Sequence, residues 1–366
     1  LAGMKAYGLD PGSTADRWTW AEMSYKNYLK KTTDLVWSIN PETAVYHNGS
    51  DKKGRHDLYG YFSHYEIESL PTGFWGYSHF PSTARYFTML PGCDILGMTG
   101  KFHTMWGEFG GFKNPAALTY ECAQMISLGA KCSVGDQLHP TGRIDPETYR
   151  IIGEAYDYVE KREAWCEDVT SVCDVAVVAA TAVTLNRAHE ESENGAARML
   201  MEMHVPFDII DPTMDLGKYR LLVLPDRVRV SPEFRRKLEA FVADGGAIIA
   251  SYRSGLGEDG AFALDFGLTA GGPSRWDTEY LVVGDAVARD QVRTPYICYE
   301  AGLVTGVVDA DVLAAVYKPY FNRTWGRFCG HRNTPPEDDA GYPGVTRKGA
   351  CIYFAHPLFR MYQTKG

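Results

Sequence analysis
Three segments hold the residues that could do chemistry: Tyr65-Glu-Ile-Glu-Ser-Leu-Pro-Thr-Gly-Phe-Trp-Gly-Tyr77, Gly97-Met-Thr-Gly-Lys-Phe-His-Thr-Met-Trp-Gly-Glu-Phe-Gly-Gly111 and Ser133-Val-Gly-Asp-Gln-Leu-His-Pro-Thr-Gly142. Each opens as a short apolar stretch and breaks into a loop rich in carboxylates, histidines and tryptophans. An α/β barrel presents its catalytic groups in this way, at the C-terminal ends of its strands. Cleavage of a glycoside uses two carboxyl groups flanking the scissile bond, one protonated as the acid and the other acting as nucleophile or base. Glu66 and Glu68 alternate with Ile67, so in a strand both face the same side. A carboxyl facing the low-dielectric interior of a barrel has its pKa raised, as a general acid near neutral pH requires. Glu68, nearer the end of the strand, is the candidate acid/base and Glu66 the second candidate. The competing reading is an alternating strand with a buried, hydrogen-bonded glutamate pair.

The loops add groups suited to holding a sugar. Asp136 and His139 follow the last of the three stretches, and His103, Trp106 and Glu108 follow the middle one. Histidine and aspartate bond hydroxyls, and a tryptophan face stacks on the C–H surface of a pyranose. His47 and Asn48 close an earlier stretch, while Trp75 and His79 follow the glutamate pair and could form a pocket wall. Each of these can also be read as a structural loop residue. The histidines lack the H-x-x-x-H or H-x-x-E spacing of a zinc site, so the reading calls for no metal and no cofactor.

Composition bounds the partners. The chain has 366 residues, 45% of them hydrophobic, and a net charge of -9. That length can bury a sizeable core in two or three domains. The acidic balance offers no basic stripe for a nucleic acid, whereas a small neutral carbohydrate suits it. No apolar run approaches the ~20 residues of a membrane span. Cys93, Cys122, Cys132, Cys166, Cys173, Cys298, Cys329 and Cys351 form no C-x-x-C pair and read as buried free thiols. The compartment stays open.

The elements that position these residues follow from periodicity. Residues 16–38 carry Trp20, Met23, Tyr28 and Val36 at helical spacing, ended by Asn40-Pro41. Strands are expected at 43–48, 65–69, 94–99 and 131–135, with helices at 81–90 and 115–128. A closed barrel takes eight strands and about 250 residues, so residues 1–165 read as the C-terminal half of a TIM-type (β/α)8 barrel, with an N-terminal piece expected to be missing. After Trp165 the pattern becomes that of a doubly wound, flavodoxin-like α/β domain at 166–258. Its strands are expected at 174–180, 207–211, 219–225 and 247–251, and its helices at 194–203 and 231–243, the latter starting at a Ser-Pro cap. Residues 259–366 read as a small β-rich part continuing that domain. Gly255-Leu-Gly-Glu-Asp-Gly260 matches a dinucleotide fingerprint only superficially, because Glu258 and Asp259 would repel a pyrophosphate.

The stretch from Lys218-Tyr-Arg-Leu-Leu-Val-Leu-Pro225 through Phe241 to Gly255 resembles the trimerisation domain that follows the barrel in trimeric bacterial β-galactosidases. Glu66 to Gly73, Met98 to Gly111, Gly135 to Gly142 and the tail Pro319 to Trp325 with Cys329 and His331 are similar to a group of glycoside hydrolases described as fucosidase-like. The resemblance implies a glycosidase acting on a neutral sugar, α-L-fucoside or β-galactoside, and a homo-oligomer, with a trimer favoured. It also implies that the first barrel strands precede this chain. One departure stands out: the β-galactosidases carry their nucleophilic glutamate at the end of the seventh strand, where this chain has Thr99. Fucosidase-type barrels carry the nucleophile as an aspartate on the fourth strand, which is expected outside this sequence. The rival reading is a non-catalytic sugar-binding or scaffolding chain that keeps the pocket.

Overall fold
The computed structural model describes residues 2–49, 52–92, 94–288 and 293–366. The chain divides into two compact units, one of residues 1–70 and 90–166, the other of residues 71–89 and 167–366. Among the described residues no helix is long and apolar enough to cross a membrane.

The first unit begins with a short helix α1 (Ala2–Ala6) and the long α2 (Thr14–Ile39), whose first turn is capped by Ser13 accepting from the Asp16 N–H. Strand β1 (His64–Glu68) buries Tyr65 and Ile67 on one face and leaves His64, Glu66 and Glu68 on the other. The next helix, α3 (His79–Phe87), belongs to the second unit. Strand β2 (Asp94–Gly100), helix α4 (Pro115–Ser127), strand β3 (Lys131–Gly135) and helix α5 (Pro146–Glu160) complete the first unit. Asn114-Pro115 and Asp145-Pro146 start the two helices: the side chain caps and proline takes a position whose N–H needs no partner. Leu118, Cys122, Ile126, Ile152, Ala155 and Val159 join the helices, and Cys132 and Val134 of β3 pack against them.

The three strands pair in parallel in chain order, β1-β2-β3. The expected strand at 43–48 is not one. Ser63 N–H donates to the Val45 carbonyl at 2.9 Å, but its hydroxyl receives the Val45 N–H and the Tyr46 hydroxyl takes the Glu66 carbonyl at 2.8 Å. Side chains thus occupy the ladder positions a fourth strand would need.

The second unit is built on a nine-stranded mixed sheet. Its parallel part uses β4 (Val175–Val178), β5 (Asp208–Ile210), β6 (Leu221–Leu224) and β7 (Ala247–Ser251), with helices α6 (Ala180–Thr184), α7 (Glu190–Glu202) and α8 (Pro232–Ala243), the last capped by Ser231. A separate ribbon pairs β8 (Leu268–Pro273) with β11 (Leu303–Val307). The rest comprises β9 (Glu279–Val283), α9 (Asp285–Ala288), β10 (Tyr296–Cys298), β12 (Asp311–Pro319), β13 (Pro336–Lys348), β14 (Cys351–Phe354) and α10 (Leu358–Lys365). The order β10-β9-β12-β13-β14-β7-β6-β4-β5 makes the tail one sheet with the doubly wound core, because β14 pairs in parallel with β7 and antiparallel with β13. Strand residues Val178, Leu222, Leu224, Ile248 and Ala250 bury against Phe234, Leu238 and Phe241 of α8. Gly195 lets α7 meet α10 closely: a Cβ there would lie 1.9 Å from the Phe359 carbonyl oxygen. Gly255 to Gly260 form turns rather than the start of a helix.

The seven described cysteines are free thiols; Cys122, Cys298 and Cys351 are buried, but Cys132, Cys166, Cys173 and Cys329 are only half-buried, which corrects the expectation of burial for those four. Cys93 lies outside the described residues.

Candidate active site
Side-chain parity in the first unit's sheet decides which residues share a face. Glu68 pairs with Met98, and Met98 with Ser133, so these three project to the same side of the parallel layer. Glu66 and His64 join them from β1, and Gly100 and Gly135 continue that face at the ends of β2 and β3. Thr99 therefore points the opposite way. Its hydroxyl donates to Glu121 Oε2 at 2.6 Å and accepts from Lys113 Nζ at 2.9 Å, and Lys113 Nζ lies 2.6 Å from the same carboxylate. All three side chains are buried. Burial pushes the Lys113 pKa down against the pull of Glu121. The threonine at the end of β2 thus anchors α4 and the end of the following loop.

That loop runs from Lys101 to Lys113, whose backbone N–H returns to the Lys101 carbonyl at 2.7 Å. Lys101 is fully buried inside it, its Nζ 3.1 Å from the Glu108 carbonyl oxygen and 4.5 Å from the centre of the Phe112 ring. Trp106 folds back onto the strand ends: a Cβ at Gly135 would lie 2.4 Å from its ring, and one at Gly100 3.0 Å from it. Gly135 is required by the indole and Gly100 chiefly by Phe102, 2.6 Å from where a Gly100 Cβ would lie, and the two rings meet edge-on at 5.3 Å. Trp106 Nε1 is buried with no hydrogen-bond partner.

The sequence candidates fall into groups by how their polar atoms are used. Glu68, half-buried at the end of β1, makes no hydrogen bond or ion pair among the described residues, which leaves its carboxyl available. Glu66 is engaged: His64 Nε2 lies 3.1 Å from its Oε1, and Ser63 Oγ lies 3.0 Å from His64 Nδ1. His64 was not singled out from sequence, although its period-two spacing with Glu66 and Glu68 marks the shared face. Glu108 spends both oxygens on Thr104, whose hydroxyl bonds one and whose N–H bonds the other at 2.8 Å. The Thr104 hydroxyl and N–H hold its carboxyl below the usual range. Asp136 accepts from the Gln137 N–H at 2.8 Å. His139 Nδ1 bonds the Thr141 hydroxyl at 2.7 Å, and its ring meets Phe109 edge-on. His103 is exposed on the loop.

Others lie away from this face or in the other unit. His47 Nε2 is 2.9 Å from Thr33 Oγ1 of α2, and burial lowers its pKa. Asn48 is an exposed turn residue beside Gly49. Trp75 stacks on Phe74 at 3.7 Å in the 71–89 segment, which belongs to the second unit. His79 of that segment is buried, with Nε2 3.6 Å from Glu190. Lys101 and Lys113 were missed as well; the signal was two lysines bracketing a glycine-rich aromatic loop, with Glu121 two helical turns into α4. Among the described residues no three His, Cys, Asp or Glu side chains converge to hold a metal ion.

Comparison with known proteins places this geometry. Over 100% of its length the chain is similar to the solved structure of alpha-L-fucosidase isoenzyme 2 from Paenibacillus thiaminolyticus, with 41% identity and a TM-score of 0.90, covering 56% of that chain. A beta-galactosidase from Bacillus circulans sp. alkalophilus shares the fold over 83% of the chain and 49% of its own, at 18% identity and a TM-score of 0.63. Beta-galactosidase GanA of Bacillus subtilis (strain 168) is 30% identical over 135 residues, 35% of this chain and 20% of that protein. The chain therefore spans about half the length of the solved structures it matches. Residues 197–265 match the family described as Beta-galactosidase trimerisation domain. The resemblance read from the motifs is borne out: the chain has an α/β fold similar throughout to a fucosidase and carries a segment matching that domain.

Proposed function
We propose that the protein is a glycosidase acting on a neutral sugar, with an α-L-fucoside preferred over a β-galactoside. The observation that carries this is the 41% identity to an α-L-fucosidase along the whole chain. In this reading β1, β2 and β3 are consecutive strands of a TIM-type barrel, and their shared face is its lining. Glu68 gives its proton to the leaving oxygen as the glycosidic bond breaks. His64 orients Glu66, the second carboxylate candidate. Trp106, half-buried over the strand ends, lays its exposed ring edge along the sugar. His103, Asp136 and His139 bound the sugar from the loops. The nucleophile or base comes from a further strand of the barrel. No cofactor enters the reaction.

The second reading, a sugar-binding chain without turnover, draws on Thr99, which faces α4 at the place where β-galactosidases carry a nucleophile. Turnover of aryl α-L-fucosides and aryl β-galactosides by the intact protein decides between them. Glu68→Gln is expected to lower turnover by about 10²–10⁴-fold with unchanged stability, and less for activated phenol leaving groups than for natural glycosides. A variant keeping more than about half the rate removes Glu68 from the mechanism.

The matched trimerisation segment further supports closed self-association through the second unit, as a trimer. Light scattering of the intact protein at micromolar concentration should give a mass well above that of one chain, and a monomer would count against the assembly.

A further inference from the structure
The second unit holds a buried polar cluster that the sugar chemistry does not use. Glu279 opens β9 with no exposed surface, and Cys298 of β10 is its direct partner across the antiparallel ladder. Opposed residues in such a pair project from the same face, so thiol and carboxylate are neighbours. Glu279 accepts from Ser274 Oγ at 2.6 Å, the Gly302 N–H at 2.9 Å, the Tyr342 hydroxyl, and His356 Nε2 at 2.8 Å. Its four bonds fix the carboxylate, and through it the ring of His356. The other ring nitrogen, His356 Nδ1, is buried and has no partner at full hydrogen-bond distance, the Cys298 thiol being the group that interacts with the ring on its free side.

Cys298 and His356 also share a cavity of about 280 Å³, lined mainly by apolar and aromatic side chains such as Leu281, Ile297, Phe354 and Met361, with Lys365 among the lining residues. A cavity of about 150 Å³ already holds a benzene ring, so this one has room for a short acyl chain or an aromatic group. A merely structural His–Glu pair would need neither the thiol beside it nor the open space in front of it. Nucleophilic cysteines have both: a base near the sulfur, and a third group holding that base in place.

We propose that Cys298, His356 and Glu279 form a second reactive site, in which the Cys298 thiol takes up an acyl group from an activated apolar ester bound in this cavity. Sγ attacks the ester carbonyl carbon and the new S–C bond forms as the bond to the leaving oxygen breaks. His356 takes the thiol proton as Sγ attacks and passes it to that oxygen as it leaves, giving a thioester on Cys298, a free alcohol or phenol, and the ring in its starting state. Burial opposes a charge on His356, yet the adjacent Cys298 and Glu279 push its pKa up to about 10, so the ring is basic enough to take the proton from sulfur and hold it until the oxygen leaves. The carboxylate does not exchange its own proton: its role is to hold the ring.

The probe is 4-nitrophenyl hexanoate, with peptide mass spectrometry of the intact 366-residue chain. Expected is a burst of one nitrophenolate per chain and a hexanoyl adduct on Cys298, although Cys166, Cys173 and Cys329 are more exposed. Cys298→Ala should abolish the burst. Met361→Trp, which fills the cavity from α10 and leaves Cys298, His356 and Glu279 themselves unchanged, should slow acylation of Cys298 at least tenfold while iodoacetamide still labels Cys329 at the wild-type rate. Should Cys298→Ala not fold, the Met361→Trp comparison alone decides. Acylation spread over the thiols in order of exposure, a burst unchanged in Cys298→Ala, or an acylation rate unaffected by Met361→Trp would overturn the proposal.

Discussion

Gly135→Ala probes the link between the strand ends and the loop above them. The new Cβ would lie 2.4 Å from Trp106 Cζ3 and 3.1 Å from Cη2. Carbon atoms pack at about 3.5–4.0 Å, so the indole has to withdraw by roughly 1 Å or the end of β3 has to shift. The ring has little room, since Gly100 on β2 and Phe102 already bound it. Gly135 does not occupy the left-handed region, so the whole effect is steric. Overpacking of this kind costs about 1–3 kcal/mol. If Trp106 also stacks on the sugar, a displacement near 1 Å lowers kcat/KM by as much as about 100-fold. Trp106→Phe removes the clashing atoms together with a buried N–H that has no partner. Denaturant unfolding and kcat/KM on an aryl fucoside are measured for the wild type, both single variants and the double variant. The double variant should be more stable than the sum of the singles by about 0.5–3 kcal/mol. A Gly135→Ala protein within about 0.5 kcal/mol of wild type, with additive behaviour in the double variant, would refute the argument that the indole dictates the glycine.

Two further outcomes follow from buried charges. Glu121→Ala leaves Lys113 buried with Thr99 as its remaining side-chain partner and should cost about 3–5 kcal/mol, whereas Lys113→Met with Glu121→Leu should recover most of that loss in the same unfolding assay. The Glu279–His356 pair makes stability depend on pH with a definite sign. His356 is raised from 6.5 to about 10, so its contribution is full below pH 6.5 and fades as pH rises through about 10. Burial works against the Glu279 charge, but His356, Ser274 and Tyr342 outweigh it and depress its pKa below 4.5, so its contribution is full above pH 4.5 and fades as pH falls further. Between pH 6.5 and 10 the wild type should lose up to about 1.4 kcal/mol per pH unit relative to a Glu279→Gln, His356→Gln double variant. Parallel pH profiles for the two proteins would contradict the pairing.

The local parts of this fold were legible in the sequence. Asn114-Pro115, Asp145-Pro146 and Ser231-Pro232 each start the helix that a capping side chain followed by proline predicts. The strands around the motifs fall within a residue of expectation, because alternation in β1 and the glycine-bounded apolar runs of β2 and β3 are short-range signals. What failed was pairing. The 43–48 segment has strand-like residues, yet Tyr46 and Ser63 put side-chain groups where backbone partners were needed. The insertion of β14 beside β7 joins segments about a hundred residues apart, and nothing local announces it. For the same reason Glu279, Cys298 and His356, far apart along the chain, gave no motif to read.

Within the motifs themselves, residue type alone did not separate the groups that build the site from those that could meet a ligand. Thr99, Lys101, Lys113 and Glu108 lie among the same glycines and aromatics as Trp106, but their polar atoms are spent on Glu121, on loop carbonyls or on Thr104. A buried polar atom that is already bonded gains little by turning to a substrate, while one left unbonded gains a full partner. By that accounting the polar group still available on the β1–β3 face among the described residues is the Glu68 carboxyl, with the exposed His103 side chain on the loop above. A carboxyl, the flat face of an indole and an exposed imidazole donor or acceptor are the kinds of group that can hold a sugar. Lys101, Lys113 and the glycines at the ends of β2 and β3 fix the loop that carries Trp106 and His103, while Glu68 is held by β1.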